Sequence, residues 1–194
     1  MTRIEVNLKS ATHPEWVNVI LDNFDAFMQD HANCERKASA LALSMVMKYP
    51  DRKKMIPHLI RLAQEELDHF AEVYALMEAR NLPMGREEKD PYVNQLLSHC
   101  RSQPEERFLD RMLISSIIEA RGAERFGIIA DALSDPDLKR FYKELWAAEM
   151  KHGHLFANLA SHYFSEAEIY ERLDPLLAAE AEIIAALPWR ASLH

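Results

Sequence analysis

Glu66-Leu67-Asp68-His69 and Glu149-Met150-Lys151-His152 share one four-residue spacing, and their reading decides the fold. Each lies in a long stretch of helical periodicity. On a helix, positions i and i+3 share a face, so each pair aims a carboxylate and an imidazole at one point. A single glutamate stands one helical hairpin upstream of each pair: Glu35 lies 31 residues before Glu66, and Glu119 lies 30 before Glu149. Two lone glutamates and two Glu-x-x-His pairs make the six-ligand set of a carboxylate-bridged di-iron or di-manganese centre inside a helical bundle.

With 20 glutamates and 9 histidines in the chain, about one Glu-x-x-His arises by chance, so the information lies in the combination. The competing reading makes all six residues solvated positions on amphipathic helices. Their neighbours argue against it. Ala38, Ser39 and Ala42 follow Glu35, while Ser115, Ser116, Gly122 and Ala123 flank Glu119. Leu59, Leu62 and Ala63 precede Glu66 on its face, as Tyr142, Leu145 and Trp146 precede Glu149. Carboxylates on stripes of this kind are expected to be buried, where an unpaired charge is expensive and a metal removes the cost.

The chain has four glycines in 194 residues, as expected of long helices, and no stretch alternates with strand period. One domain over residues 1–194 is expected, with a bundle core at about 23–164. The N-terminal stretch Met1-Thr2-Arg3-Ile4-Glu5 lacks the basic and apolar regions of a signal peptide, and no apolar run is long enough to span a bilayer. A cytoplasmic protein with no membrane partner is the expectation. Cys34 and Cys100 make neither a disulfide framework nor a zinc spacing and read as reduced thiols.

Helix stops divide the chain. A short helix opens after Thr12-His13-Pro14, and a long one runs roughly from Asn23 to Lys48, ending before Pro50. A second long helix reaches about Arg80. An irregular connection to about Gln103 holds one short helix near Tyr92–His99. A third long helix runs from Glu105 to Leu133, and Asp135 caps a fourth that ends near Phe164. Ser165 and Glu168 form a capping box opening a fifth. Hairpin, connection of about 20 residues, hairpin is ferritin-like topology. The expected fold is therefore all-α: a ferritin-like four-helix bundle with a long connection between its two hairpins and additional N- and C-terminal helices. Glu35 and Glu66 each lie about 15 residues from the Pro50 turn, and Glu119 and Glu149 about as far from Pro136, which at 1.5 Å per residue brings the four helices' ligands to a common height.

Four carboxylates and two neutral imidazoles balance two divalent cations. One histidine per metal in an oxygen-rich set suits iron or manganese better than zinc. By analogy with such sites, Glu66 and Glu149 bridge the metals, Glu35 and Glu119 are terminal, and His69 and His152 bind one metal each. Open positions then remain for dioxygen.

Several segments go beyond what metal binding requires. Asp30-His31-Ala32-Asn33-Cys34-Glu35-Arg36-Lys37-Ala38, Glu65-Glu66-Leu67-Asp68-His69-Phe70, Met77-Glu78-Ala79-Arg80-Asn81-Leu82-Pro83, Ile118-Glu119-Ala120-Arg121 with Glu124-Arg125-Phe126, and Asp137-Leu138-Lys139-Arg140-Phe141-Tyr142 together resemble the tRNA isopentenyladenosine hydroxylases (MiaE type). That resemblance covers about residues 30–160. It implies a non-haem di-iron monooxygenase with two iron ions and dioxygen as co-substrate. Such an enzyme hydroxylates the isopentenyl group of a modified adenosine beside the tRNA anticodon, with electrons from a reductase or ferredoxin-like partner. The short turn at Pro50 departs from longer members, which carry an insertion there.

A net charge of −8 is unusual for a protein that takes tRNA. Local cations supply the candidate phosphate contacts: Lys48, Arg52, Lys53 and Lys54 at the first turn, Arg36 and Lys37 after the first ligand, and Arg121 and Arg125 after the third. Arg121 has a second reading, as partner of a carboxylate near the metals. His31, one turn before Glu35, reads as a satisfied core histidine, with a hydrogen bond to the site as the alternative. Tyr142 and Trp146 read as packing residues, with electron relay as the alternative. The rival function on the same ligands is a ferritin-like iron-binding protein or ferroxidase, or another di-metal oxidase or peroxidase.

Overall fold

The computed structural model describes residues 3–86 and 89–194; Met1 and Thr2 of the polar lead lie outside the described residues. Every regular element among them is helical: α1 (Trp16–Asp22), α2 (Phe24–Lys48), α3 (Ile56–Ala79), α4 (Pro91–Ser98), α5 (Pro104–Ala132), α6 (Pro136–Ala160) and α7 (Glu166–Ala186). No helix among the described residues is long and apolar enough to cross a membrane.

Local chemistry sets the ends. Asp135 accepts hydrogen bonds from the amides of Asp137 and Leu138 at the start of α6. Ser165 and Glu168 cap α7 reciprocally. After α3 the chain turns through Asn81 at φ 56°, with the Asn81 amide donating to Glu78 and the Leu82 amide to Met77. This is a Schellman stop, in which asparagine replaces the usual glycine. α6 ends four residues before the expected Phe164. There the amides of Ser161 and His162 donate to carbonyls three residues back, and the Ser161 hydroxyl takes up the Asn158 carbonyl at 2.6 Å. The last turn tightens and the α-helix stops.

The fold comprises two compact units, Asn18–Glu88 with Arg190–Leu193, and Met1–Val17 with Lys89–Trp189 and His194. The first is the α2/α3 hairpin. Its core is Phe27, Met28, Ala32, Ala42 and Met45 from α2 with Leu59, Leu62, Ala63, Val73 and Met77 from α3. The Ser39 hydroxyl donates to the Ala63 carbonyl at 2.7 Å, tying the helices together one turn beyond Glu35.

The second unit is the α5/α6 hairpin with α4, α7 and the N-terminal segment on it. α5 and α6 approach closely because residue 153 is glycine: a Cβ there would lie 3.2 Å from the Ala120 Cα. The Ser116 hydroxyl accepts from the Ala157 amide at 2.9 Å, the counterpart of the Ser39 bond. At one end Asp110 accepts from Arg101 and Arg172, joining the start of α5 to α7. The N-terminal segment lies along α6, with the Ile4 amide on Asn158 and the Val6 amide on His154 Nδ1.

Candidate metal centre

Each unit carries one half of the expected ligand set. In the first, Glu35 projects from α2 and Glu66 and His69 from α3, with ligand atoms of all three within 4.8 Å of one another. Glu35 and Glu66 are buried and His69 is half-buried. His69 Nδ1 stands 3.5 Å from Glu66 Oε2 and 3.8 Å from Glu35 Oε2. The i,i+3 spacing aligns the α3 pair, and the hairpin delivers Glu35 beside it.

His31 adds a layer behind Glu35. It is fully buried, stacks on Phe27 at 5.7 Å, and places Nε2 2.7 Å from Glu35 Oε1. Burial, then the neighbouring His69, lower its pKa to about 3 against the opposing charge of Glu66. The ring is therefore neutral at pH 7 and donates from Nε2 to the Glu35 carboxylate, fixing that side chain's orientation. This is the alternative reading of His31, and its signal was the i,i+4 spacing to Glu35.

In the second unit, ligand atoms of Glu119 on α5 and of Glu149 and His152 on α6 likewise lie within 4.8 Å of one another. Glu149 and His152 are buried, and His152 Nδ1 lies 3.1 Å from Glu149 Oε2. The close contact of Gly153 with Ala120, each adjacent to a ligand, brings Glu119 alongside the α6 pair.

Each triad thus offers two carboxylates and one imidazole in a buried setting. Such a set is costly without a cation and fits a hard divalent ion such as iron. No thiolate belongs to either triad: Cys34 Sγ lies 3.7 Å from Asp30 Oδ2, and Cys100 is half-buried elsewhere.

The cations proposed for tRNA divide by burial. Lys48, Lys53 and Lys54 are exposed, while Arg36, Lys37 and Arg52 are half-buried. Arg121 and Arg125 are buried instead of lying at the surface. Arg121 forms a two-pronged bond with Glu180 of α7, Nε to Oε1 at 2.7 Å and Nη2 to Oε2 at 2.9 Å. It also meets Glu124 and the Ser10 carbonyl. The Arg125 guanidinium lies over the Trp16 ring at 4.5 Å. Neither guanidinium reaches a phosphate from these positions, because α7 and the N-terminal segment cover that side of α5. Tyr142 is buried, as a packing residue should be, whereas Trp146 is 41 % exposed.

Two helical hairpins, each bearing a glutamate and a Glu-x-x-His, define the ferritin-like class of di-metal carboxylate proteins, and the fold is of that class. It is similar to a solved structure described as protein 43 with aldehyde deformylating oxygenase activity from Synechococcus, with a TM-score of 0.92 and 32% identity over 98% of this chain and 96% of that one. The family model for tRNA-(MS[2]IO[6]A)-hydroxylase (MiaE) matches residues 1–194, and the chain belongs to that family of tRNA-modifying enzymes. The tRNA 2-(methylsulfanyl)-N(6)-isopentenyladenosine(37) hydroxylase of Pseudomonas putida is 34% identical over 181 residues, 93% of this chain and 88% of the relative. The enzyme of the same name from Salmonella typhimurium is 26% identical over 226 residues, 91% of this chain and 83% of the relative. That alignment is longer than this chain, so the relative carries inserted residues.

Proposed function

We propose that this protein is an oxygen-dependent non-haem di-iron monooxygenase that hydroxylates the isopentenyl group of the modified adenosine beside the tRNA anticodon. The observation that carries the reading is the pair of matched triads, Glu35/Glu66/His69 and Glu119/Glu149/His152, in a chain of the MiaE family. In this reading each triad holds one iron, and the charge of the two irons offsets the four carboxylates. Two irons so held supply the activation of dioxygen for insertion of one oxygen atom into a C–H bond.

The balance is substrate C–H, dioxygen, two electrons and two protons in, and substrate C–OH and water out. Neither cysteine pairs into a cluster site, so the electrons come from a separate reductase or ferredoxin-like partner. His31 holds Glu35 in its ligating orientation. Burial of the ligands excludes bulk water from the reacting centre. The target base leaves its stack to reach this depth, with Arg36, Lys37, Lys48, Arg52, Lys53 and Lys54 as candidate phosphate contacts. A cytoplasmic location is in keeping with work on tRNA.

Iron content followed by a single turnover of reduced protein with oxygen and isopentenylated tRNA tests the reading. About two irons per chain and a nucleoside heavier by one oxygen are the expected result. Irons without a modified nucleoside move the function to a ferroxidase or another oxidase. The Synechococcus structure favours one second reading, an aldehyde substrate on the same ligands. Turnover of a long-chain aldehyde, with tRNA left unmodified, would select it.

A further inference from the structure

Trp146 is the exposed aromatic residue closest in sequence to a ligand: it precedes Glu149 by one turn of α6 and is 41 % exposed. At 100° per residue it sits about 60° around the helix from Glu149, on the border between buried and solvent faces. Its indole rests on α5 at Gly127, where a Cβ would lie 3.2 Å from both Cε2 and Nε1. A glycine at that point lets the ring lie close against the neighbouring helix. Met150, one turn further and 48 % exposed, continues the same ridge. Beyond it lies an open groove of about 340 Å³ between the N-terminal segment at 6–11 and Ala120, Ala123 and Gly153 of the seam.

The solvent face beside this ridge is basic. Arg140, Lys143 and Lys151 are exposed. Residues 137–151 carry four cations and, apart from the ligand Glu149, two carboxylates, Glu144 and Asp137, the latter paired with Arg140 at 2.9 Å, in a chain of net charge −8. An open aromatic face flanked by cations is complementary to a polymer that offers both π-faces and phosphates. An acidic protein partner would use the charges but has no need of the indole.

We propose that this α5/α6 seam is a tRNA-docking surface, with Trp146 stacking on an anticodon-loop base while Arg140, Lys143 and Lys151 meet the flanking phosphates. The proposal rests on the tRNA hydroxylase reading and specifies which surface of the chain meets the substrate. It places a loop nucleotide one helical turn from a metal ligand, whereas the cations at the first turn lie several turns away along α2 and α3.

The test is the dissociation constant of iron-loaded protein for isopentenylated tRNA, measured by anisotropy across a salt series. Trp146→Ala weakens binding roughly 5- to 160-fold, the range of one lost base stack, and Trp146→Phe recovers most of the loss. Lys143→Glu with Lys151→Glu lowers the slope of log K against log salt by about 1.4 to 1.8. Iron content stays at the wild-type value in all three; Trp146→Ala, which loses its packing on Gly127, lowers the urea midpoint, whereas Trp146→Phe and the lysine pair keep it, which separates docking from folding. If wild type hydroxylates tRNA while every variant binds it as wild type does, the docking surface is refuted and the function stands. Unchanged tRNA binding with slower reduction by the electron donor also refutes it, and gives the face to that carrier. Wild-type protein that neither binds nor hydroxylates isopentenylated tRNA overturns both readings.

Discussion

Replacing Glu180 by alanine leaves the Arg121 guanidinium stranded in the second unit. Both side chains are fully buried, joined by bonds of 2.7 and 2.9 Å, and the Tyr92 hydroxyl donates to the same carboxylate at 3.1 Å. Burial alone would lower the Arg121 pKa, but the hydrogen bonds and charge of Glu180 more than offset it, so the group stands above its ordinary value. It therefore stays charged and cannot escape by deprotonation. Breaking a buried pair from one side costs about 3–5 kcal/mol. The Tyr92 bond adds about 1 kcal/mol. Glu124 remains as a partner with a 26 % exposed side chain, which holds the total near the lower end, about 3–4 kcal/mol. For a chain of this size that is a fall in Tm of roughly 6–16 °C. Urea denaturation of the alanine variant should show a lower midpoint at unchanged slope. Arg121→Met with Glu180→Leu removes both charges and should return to within about 1–2 kcal/mol of wild type. Its tRNA binding should keep the wild-type salt slope, because Arg121 meets no phosphate. A cost below about 1 kcal/mol for Glu180→Ala, or a double variant as unstable as the single, would refute the reasoning.

Other perturbations follow from the same structure. Glu66→Ala and Glu149→Ala should each reduce iron content and abolish the stabilisation that iron gives wild type, about 2.7 kcal/mol at free iron 100 times Kd and read as a rise in Tm; an undiminished rise would place the metal elsewhere. Gly153→Ala sets a methyl 3.2 Å from the Ala120 Cα and should cost about 1–3 kcal/mol in a melt, together with looser iron binding by the Glu119 triad. Burial pushes the Asp110 carboxyl up, but hydrogen bonds from Arg101 and Arg172 outweigh it and hold its pKa below 3.8. Below 3.8 the unfolded chain binds the extra proton, so this stability is present above about pH 4 and is lost as pH falls through the lower, folded value. Asp110→Asn should therefore cost about 2–3 kcal/mol at pH 7, discounted for the partly exposed Arg101, and flatten the acid limb of stability against pH. An unchanged acid limb would show that Asp110 does not govern it.

The helices were legible because their stops are local. Pro50, Asp135, Pro136 and the Ser165/Glu168 box lie within a few residues of the ends they set. The candidate ligands were legible for the same reason: i,i+3 spacing fixes a shared face without knowledge of the partner helix. The end of α6 was not, because nothing apolar breaks the pattern at Ser161-His162-Tyr163; the hydroxyl and the tightened turn break it. Trp146 packs on Gly127 as its stripe implies, but its exposure was not legible. It continues the apolar stripe of Leu145 and Tyr142, yet it sits at the stripe's edge, where Gly127 leaves room for the ring to lie in the seam.

The amino-acid order by itself determined an all-helical fold, two hairpins with matched candidate ligand positions, and the family those segments resemble. All of these depend on contacts within a few turns of chain. Only the tertiary structure decided the fate of the charges. Arg121 meets Glu180 from 59 positions away and Ser10 from 111, and whether a cation on α5 faces water or a carboxylate depends on which remote segment covers that side. Periodicity marks the face of a helix, but the element that lies on that face fixes its dielectric and its partners, and these separate a buried ion pair from a surface open to tRNA.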